Sequence, residues 1–286
     1  MINLFRYWRI LAMATALLVA ALMGACAQAP QAPVPVTGLS EVTIDAADFS
    51  YAAPETLNAG WVRVKMTNVG KEPHHVQFMR LNDGVTLPQF QEALKQGEGP
   101  ALALVQLTGG VGAVDPSSAA NAIINLPAGN YVIACFVTSG DGVPHLAKGM
   151  IKPLTVTAAT GATANEPTAT TTVRLKDFAI DMPDTLAAGN TVIKVINDGP
   201  EFHEWNIFRL TEGKTTQDIF AWFGNPAGPP PFSAIGGLNG LSTNFVGYAE
   251  LDLKPGAYLA ICNIPSGANQ GKSHSELGMI KEFTVK

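Results

Sequence analysis

The chain repeats itself, and a repeat of this length confines the fold to two copies of one unit. Residues 68–81 read NVGKEPHHVQFMRL and residues 197–210 read NDGPEFHEWNIFRL. LPAGNYVIAC (126–135) returns as LKPGAYLAIC (253–262), and GMIKPLTV (149–156) returns as GMIKEFTV (278–285). The offset is 129 residues at His74 and His203 and 127 at Cys135 and Cys262. It is 129 again at His145 and His274, and at Met150 and Met279. Between the copies, TAATGATANEPTATT (157–171) is poor in large apolar residues and reads as a linker. The expected domains are therefore 41–157 and 172–286, with 158–171 between them, each long enough to bury its own core.

Apolar positions within each unit follow a strand's period. WVRVKMTN (61–68) and TVIKVIND (191–198) alternate apolar and polar side chains, as half-buried strands do. HHVQFMRL (74–81) and EWNIFRL (204–210) read likewise. NYVIACF (130–136) and AYLAICN (257–263) are apolar runs behind a Pro/Gly turn, as in a strand with both faces covered. PLTV and EFTV are expected as closing edge strands, and TGGVG (108–112), recurring as IGGLNG (235–240), reads as a turn. One helix interrupts each unit. TLPQFQEALKQ (86–96) and TTQDIFAWF (215–223) both open on Thr with Gln or Asp three places on, a capping-box pattern. Phe90, Phe220, Trp222 and Phe223 on these helices are expected to pack, and GNPAGPPPF (224–232) is a Pro-rich loop. With 28 Gly, 20 Pro and only 14% charged residues, the composition suits short strands joined by turns. The expected fold class is all-β: two tandem Greek-key β-sandwiches, each with one short inserted helix.

The N-terminus reads as a targeting signal. Arg6 and Arg9 precede ILAMATALLVAALMGAC, which carries no charge from Ile10 to Cys26. That run is short for a membrane span of ~20 residues. Met23-Gly24-Ala25-Cys26 resembles the bacterial lipobox, which implies a signal peptide of 1–25, cleavage before Cys26 and lipidation of its sulfur. A plain signal peptide with an incidental Cys is the other reading. Residues 26–40 would form a Pro-rich tether. The expectation is a protein exported from a bacterial cell and lipid-anchored to a membrane, facing periplasm or exterior. Loss of Arg6 and Arg9, with no acid removed, takes the formal charge from −5 to −7, which argues against nucleic acid as a partner.

With Cys26 assigned to the lipid, both remaining Cys and four of the five His fall into two sets of one order. These are His74, Cys135, His145, Met150 and His203, Cys262, His274, Met279. A thiol, two imidazoles and a thioether are the ligands of a trigonal site with a weak axial Met, the blue-copper arrangement. Thioether is a poor zinc ligand, so copper is favoured. A disulfide between Cys135 and Cys262 is the default for an exported chain. Equivalent inner strands of two repeats seldom approach within the ~6 Å Cα separation it needs.

At these residues the sequence resembles the cupredoxin family, over essentially all of both units. NVGKEPHHVQF is similar to the plastocyanin stretch that supplies the first His ligand, and GDGVPHLAKGM to the type 1 loop of copper nitrite reductases. The resemblance implies one type 1 copper per domain, held by His74, Cys135, His145 and Met150 and by His203, Cys262, His274 and Met279. Nine residues separate Cys135 from His145 and eleven separate Cys262 from His274, longer than in plastocyanin-like and azurin-like loops. The second copy has Phe202 and Glu204 where the first has Pro73 and His75. His75 follows His74 on a strand and points to the opposite face, which gives it a surface or supporting role. Multicopper oxidases and nitrite reductases need further imidazoles, often one beside the Cys. Ala134 and Ile261 stand there, so no enzyme is expected. The leading expectation is a tethered blue copper protein that carries single electrons. A copper-delivery protein and a copper-free structural or interaction module are the alternatives. The partner, a redox protein or a copper acceptor, is left open.

Overall fold

The computed structural model describes residues 39–286. The signal peptide, Cys26 and the tether up to residue 38 lie outside the described residues. The first unit contributes β1 (Ser40–Ala47), β2 (Ser50–Ala52), β3 (Thr56–Asn58), β4 (Gly60–Asn68), β5 (His74–Leu81), α1 (Leu87–Gln96), α2 (Glu98–Leu102), β6 (Val105–Val114), β7 (Ala119–Leu126), β8 (Gly129–Ala134) and β9 (Ile151–Thr157). The second contributes β10 (Thr171–Lys176), β11 (Ala179–Asp181), β12 (Thr185–Leu186), β13 (Gly189–Asn197), β14 (His203–Leu210), α3 (Thr216–Gly224), β15 (Phe232–Leu241), β16 (Val246–Leu253), β17 (Gly256–Ile261) and β18 (Ile280–Val285).

The expected helices form where their caps place them. Thr86 caps α1 and accepts from the Gln89 N–H, while the Thr86 N–H donates to Gln89 Oε1 at 2.8 Å. Thr215 and Asp218 do the same for α3. Phe90 is buried against Met79 and Val132, and Trp222 and Phe223 pack edge-on to Phe232. The one-turn helix α2 is too short to show a period in sequence.

Both sheets run through both units. The eight-stranded sheet has the order β11-β10-β13-β16-β7-β4-β1-β2, and the ten-stranded sheet β12-β18-β17-β14-β15-β6-β5-β8-β9-β3. The seam is made by like strands of the two copies, β6 with β15 and β7 with β16, each pair antiparallel. Antiparallel pairing of equivalent strands relates the units by an approximate two-fold axis. The tandem sandwiches therefore share their sheets, and one apolar core runs from Val42, Val64 and Phe78 through Val111 and Leu238 to Val195, Trp205 and Phe283. PLTV and EFTV do not close the sheet: β3 and β12 pair outside β9 and β18.

The glycine pairs read as turns lie inside the seam strands instead. Gly110 (φ +147°) and Gly237 (φ +114°) lie beside bulges in their own strands, where β6 and β15 each take one residue more than β5 and β14. A Cβ at either would run into a backbone oxygen, that of Val76 or Trp205, so only Gly fits. Side chains then cross the seam in matched fashion. Gln77 Nε2 donates to Gly240 O at 3.0 Å, and Asn206 Oδ1 accepts from the Ala113 N–H at 3.1 Å. Arg63 adds a two-pronged bridge to Glu250, at 2.8 to 3.1 Å. The 158–170 segment has no regular structure but is tied down: Glu166 accepts from Lys194 at 2.7 Å and from Tyr248 OH at 2.6 Å. Among the described residues no helix is long and apolar enough to cross a membrane.

Candidate metal centres

His74 opens β5, and Cys135 follows the last residue of β8, the strand paired with it. The two side chains meet because antiparallel pairing sets the start of one strand beside the end of the other. His145 starts a 3₁₀ turn that ends at Gly149, which adopts φ +107° and returns the chain to β9. Backbone bonds lock this loop to the thiol strand. The Leu146 N–H donates to Cys135 O (2.8 Å), the Met150 N–H to His145 O (2.9 Å) and the Cys135 N–H to Met150 O (3.1 Å). The second unit repeats the pattern: the Met279 N–H donates to His274 O (2.8 Å) and the Cys262 N–H to Met279 O (3.2 Å).

The unequal loop lengths leave this geometry alone. Bridges Thr138–Pro144 and Pro265–Ser273 close the two loops at equivalent places. The two extra residues of the second loop lie beyond its bridge, at the tip, away from the donors.

Three donors converge in each unit. Nδ1 of His74 and Nδ1 of His145 are 3.0 Å apart, with Cys135 Sγ 4.0 Å from the first and 3.5 Å from the second. In the other unit the Nδ1 atoms of His203 and His274 are 3.0 Å apart and Cys262 Sγ is 3.4 Å from His274. All six side chains are buried, as are Met150 and Met279. The cysteines are free, so the default disulfide does not form.

The outer nitrogens explain which way the rings face. His74 Nε2 lies 2.7 Å from Asp48 Oδ1, and His145 Nε2 lies 3.0 Å from Glu72 Oε2. His203 and His274 have the same partners one repeat on, Asp177 at 2.6 Å and Glu201 at 3.1 Å. A carboxylate accepts only, so it holds the ring proton on Nε2 and leaves Nδ1 as a bare lone pair. Two lone pairs 3.0 Å apart beside a sulfur are unfavourable unless a cation sits among them, and donors at these spacings fit one ion at about 2 Å. Phe49 and Phe178 pack edge-on to His145 and His274, 4.9 and 5.0 Å between centroids, and close the pockets. These four carboxylates were not singled out from the sequence. Their signal was the repeat itself, since 48 and 177, and 72 and 201, share the 129-residue offset of the histidines.

Burial sets the acid–base character. It pushes the Cys135 thiol up to about 12, against N–H donors from His75 and Val137, and carries the Cys262 thiol well above its ordinary value. Burial likewise pulls His74 and His203 down, with the Asp48 and Asp177 carboxylates opposing. Two imidazoles that turn Nδ1 inward and a thiol that gives up its proton only to a metal form a soft donor set. That chemistry fits copper.

His75 is on the opposite face from His74, as its strand position requires, but it is buried rather than at the surface. The Phe136 N–H donates to its Nε2 at 2.5 Å. Glu204, its counterpart, accepts from the Asn263 N–H at 2.9 Å. Each therefore pins the residue that follows the thiol.

No protein-family model matches the chain, and no curated protein matches it. Among solved structures, a multicopper oxidase is 16% identical, covers 89% of this chain and 92% of its own, and superposes with a TM-score of 0.28. An auracyanin from the photosynthetic bacterium Roseiflexus castenholzii is 17% identical over 41% of this chain and 97% of its own, with a TM-score of 0.30. A Cu-containing nitrite reductase from Thermus scotoductus SA-01 is 11% identical over 86% of this chain and 61% of its own, with a TM-score of 0.24. By its two-sheet fold and its duplicated donor sets, the chain is a pair of β-sandwiches joined edge to edge, each with a buried His–Cys–His group whose donors suit copper.

Proposed function

We propose that the protein is an exported, membrane-tethered carrier of single electrons, with copper held in the first unit by His74, Cys135, His145 and Met150 and in the second by His203, Cys262, His274 and Met279. The duplicated, fully buried His–Cys–His group carries this reading. Copper would supply a centre that cycles between two oxidation states one electron apart. The chain's own part is to keep the donors still. Carboxylates fix the rings, backbone bonds fix the Cys–His loop, and no donor has to move when the charge changes. A delivery protein needs donors that an acceptor can reach, and here all four imidazoles are buried. An enzyme with a further catalytic copper needs spare imidazoles. The fifth histidine, His75, is already engaged by Phe136 and Asn239. Cys26 and the Pro-rich stretch after it would anchor and space the folded body from the membrane.

The test is copper per chain and the visible spectrum of the full chain after loading. Two coppers with an intense thiolate-to-copper band are expected, with Cys135→Ser and Cys262→Ser each removing half. A chain that passes copper to an apo-acceptor but exchanges no electrons with soluble redox partners would favour delivery. Loss of lipid labelling and release from membranes in Cys26→Ser would establish the tether.

A further inference from the structure

We propose that Asn239, on a strand of the second unit, is a positioning residue for the metal centre of the first, acting through His75. The proposal rests on the reading of His74, Cys135 and His145 as metal ligands. Its geometric half concerns only side chains present in the metal-free protein.

The Phe136 N–H points at His75 Nε2 from 2.5 Å, so Nε2 is an acceptor. A neutral imidazole with Nε2 accepting carries its proton on Nδ1. An Nε2 that accepts bears no proton, so the ring is neutral. The Nδ1–H is buried too and requires an acceptor. The group facing it is the side-chain amide of Asn239, placed with Nδ2 2.6 Å from Nδ1, donor against donor. That residue is wholly buried, and its Oδ1 has no partner. Oxygen and nitrogen of an amide are told apart by their bonds. With Oδ1 towards Nδ1–H, the orphaned oxygen and the orphaned ring proton satisfy each other. The chain of contacts then runs from Asn239 on β15 to His75 on β5, to the Phe136 N–H, and so to the peptide bond that leaves Cys135.

The two units differ here. Asn239 corresponds in the repeat to Gly112, which has no side chain to offer. A Cβ at Gly112 would strike Asn206 Oδ1 and the Gly236 backbone, so nothing larger fits. The counterpart of His75, Glu204, accepts directly from the Asn263 N–H of its own unit. The first centre is thus braced from the other unit and the second from within its own. Phe136 and Asn263 are the residues through which this bracing reaches the thiols, because a shift of either peptide moves the adjacent sulfur.

The experiment has a metal-free arm and a copper arm. In the full chain without metal, ¹⁵N-detected NMR of the imidazoles is expected to show His75 protonated on Nδ1, its proton protected from exchange, with protection lost in Asn239→Leu. In the copper arm, Cys262→Ser isolates the first centre and Cys135→Ser the second. Asn239→Leu should weaken copper binding at the first centre by about tenfold to a hundredfold and shift its charge-transfer band. It should leave the second centre unchanged, whereas general destabilisation would affect both. Asn239→Asp keeps an accepting oxygen and should restore the band. A proton on His75 Nε2, or equal effects of Asn239→Leu at both centres or at neither, would overturn the proposal. Should no variant take up copper, the ligand reading fails on its own, and the NMR arm still decides the contact.

Discussion

Asp48→Asn tests the least familiar feature of these centres, the carboxylate behind each histidine. Burial alone would raise the Asp48 pKa. The Lys71 N–H, the His74 ring and the Glu72 N–H outweigh it and hold the carboxyl below its ordinary value, so it is charged at neutral pH. Oδ1 takes His74 Nε2–H at 2.7 Å, and Oδ2 takes the Lys71 N–H at 2.9 Å. Asparagine has one oxygen for these two donors. With that oxygen on His74, its NH₂ meets the Lys71 N–H head-on; turned over, it meets the ring N–H instead. Either way one bond and the charge are lost, and the ring is no longer held with Nδ1 free. Losses of this kind cost about tenfold to a hundredfold in metal affinity, or ~1.4 to 2.7 kcal/mol. Competition with a copper chelator, in a Cys262→Ser chain that leaves one centre, reads the number directly. Asp177→Asn in a Cys135→Ser chain is the contrast: Pro200 stands where Lys71 does and has no N–H to strand, so the amide oxygen can stay on His203 and the loss should be smaller. If both variants keep their thermal stability and bind copper within twofold of the parent, packing by Phe49 and Phe178 orients the rings and the carboxylates do not.

Copper affinity should climb by at least tenfold per pH unit between about pH 7 and 9, because each thiol is protonated throughout that range and must release its proton on binding. A flat profile in a pH-resolved titration would show that the thiols are not ligands. Gly110→Ala and Gly237→Ala should each cost ~3 kcal/mol or more in denaturant unfolding, or prevent folding, since each Cβ meets a backbone oxygen at positive φ. Glu250→Gln should cost about 1 kcal/mol by removing a partly exposed two-pronged bridge to Arg63, with the copper spectrum unaltered.

The donor sets were legible because Cys and His are scarce here and recur in one order, so a census isolates them. Strands and helices were legible for a similar reason: Val62, Val64 and Met66 alternate with half-buried neighbours, and Thr86 and Thr215 mark their helices. The seam was not. TGGVG and IGGLNG have the composition of turns, and only tertiary pairing shows that those glycines let β6 and β15 pass close to β5 and β14. Asp48 and Glu72 stand among 23 acidic residues, and nothing local sets them apart from a solvated face. Polar residues such as Gln77, Asn206 and Asn239 are buried only because a second copy covers them, which one unit's pattern cannot express.

The same two-fold pairing fixes how far apart the centres lie. Through the ladder, His74 is level with Val114, Val114 with Ile235, and His203 with Leu241 on the same strand as Ile235. His74 and His203 are thus three interstrand steps of ~4.8 Å and about six residues of ~3.3 Å apart, roughly 25 Å in all. Strand direction agrees, since β5 and β14 run oppositely and each begins with its histidine. The centres therefore sit at opposite ends of one rigid sheet. On the electron-carrier reading, this arrangement makes each centre accessible to a partner at its own end rather than pooling two electrons at one place. Reduction of a Cys262→Ser chain by a given soluble donor should then proceed at the rate of the first centre in the parent. A rate that depended on copper in the second centre would require direct passage along the shared sheet, and would turn attention to the His75–Asn239 contact as its route.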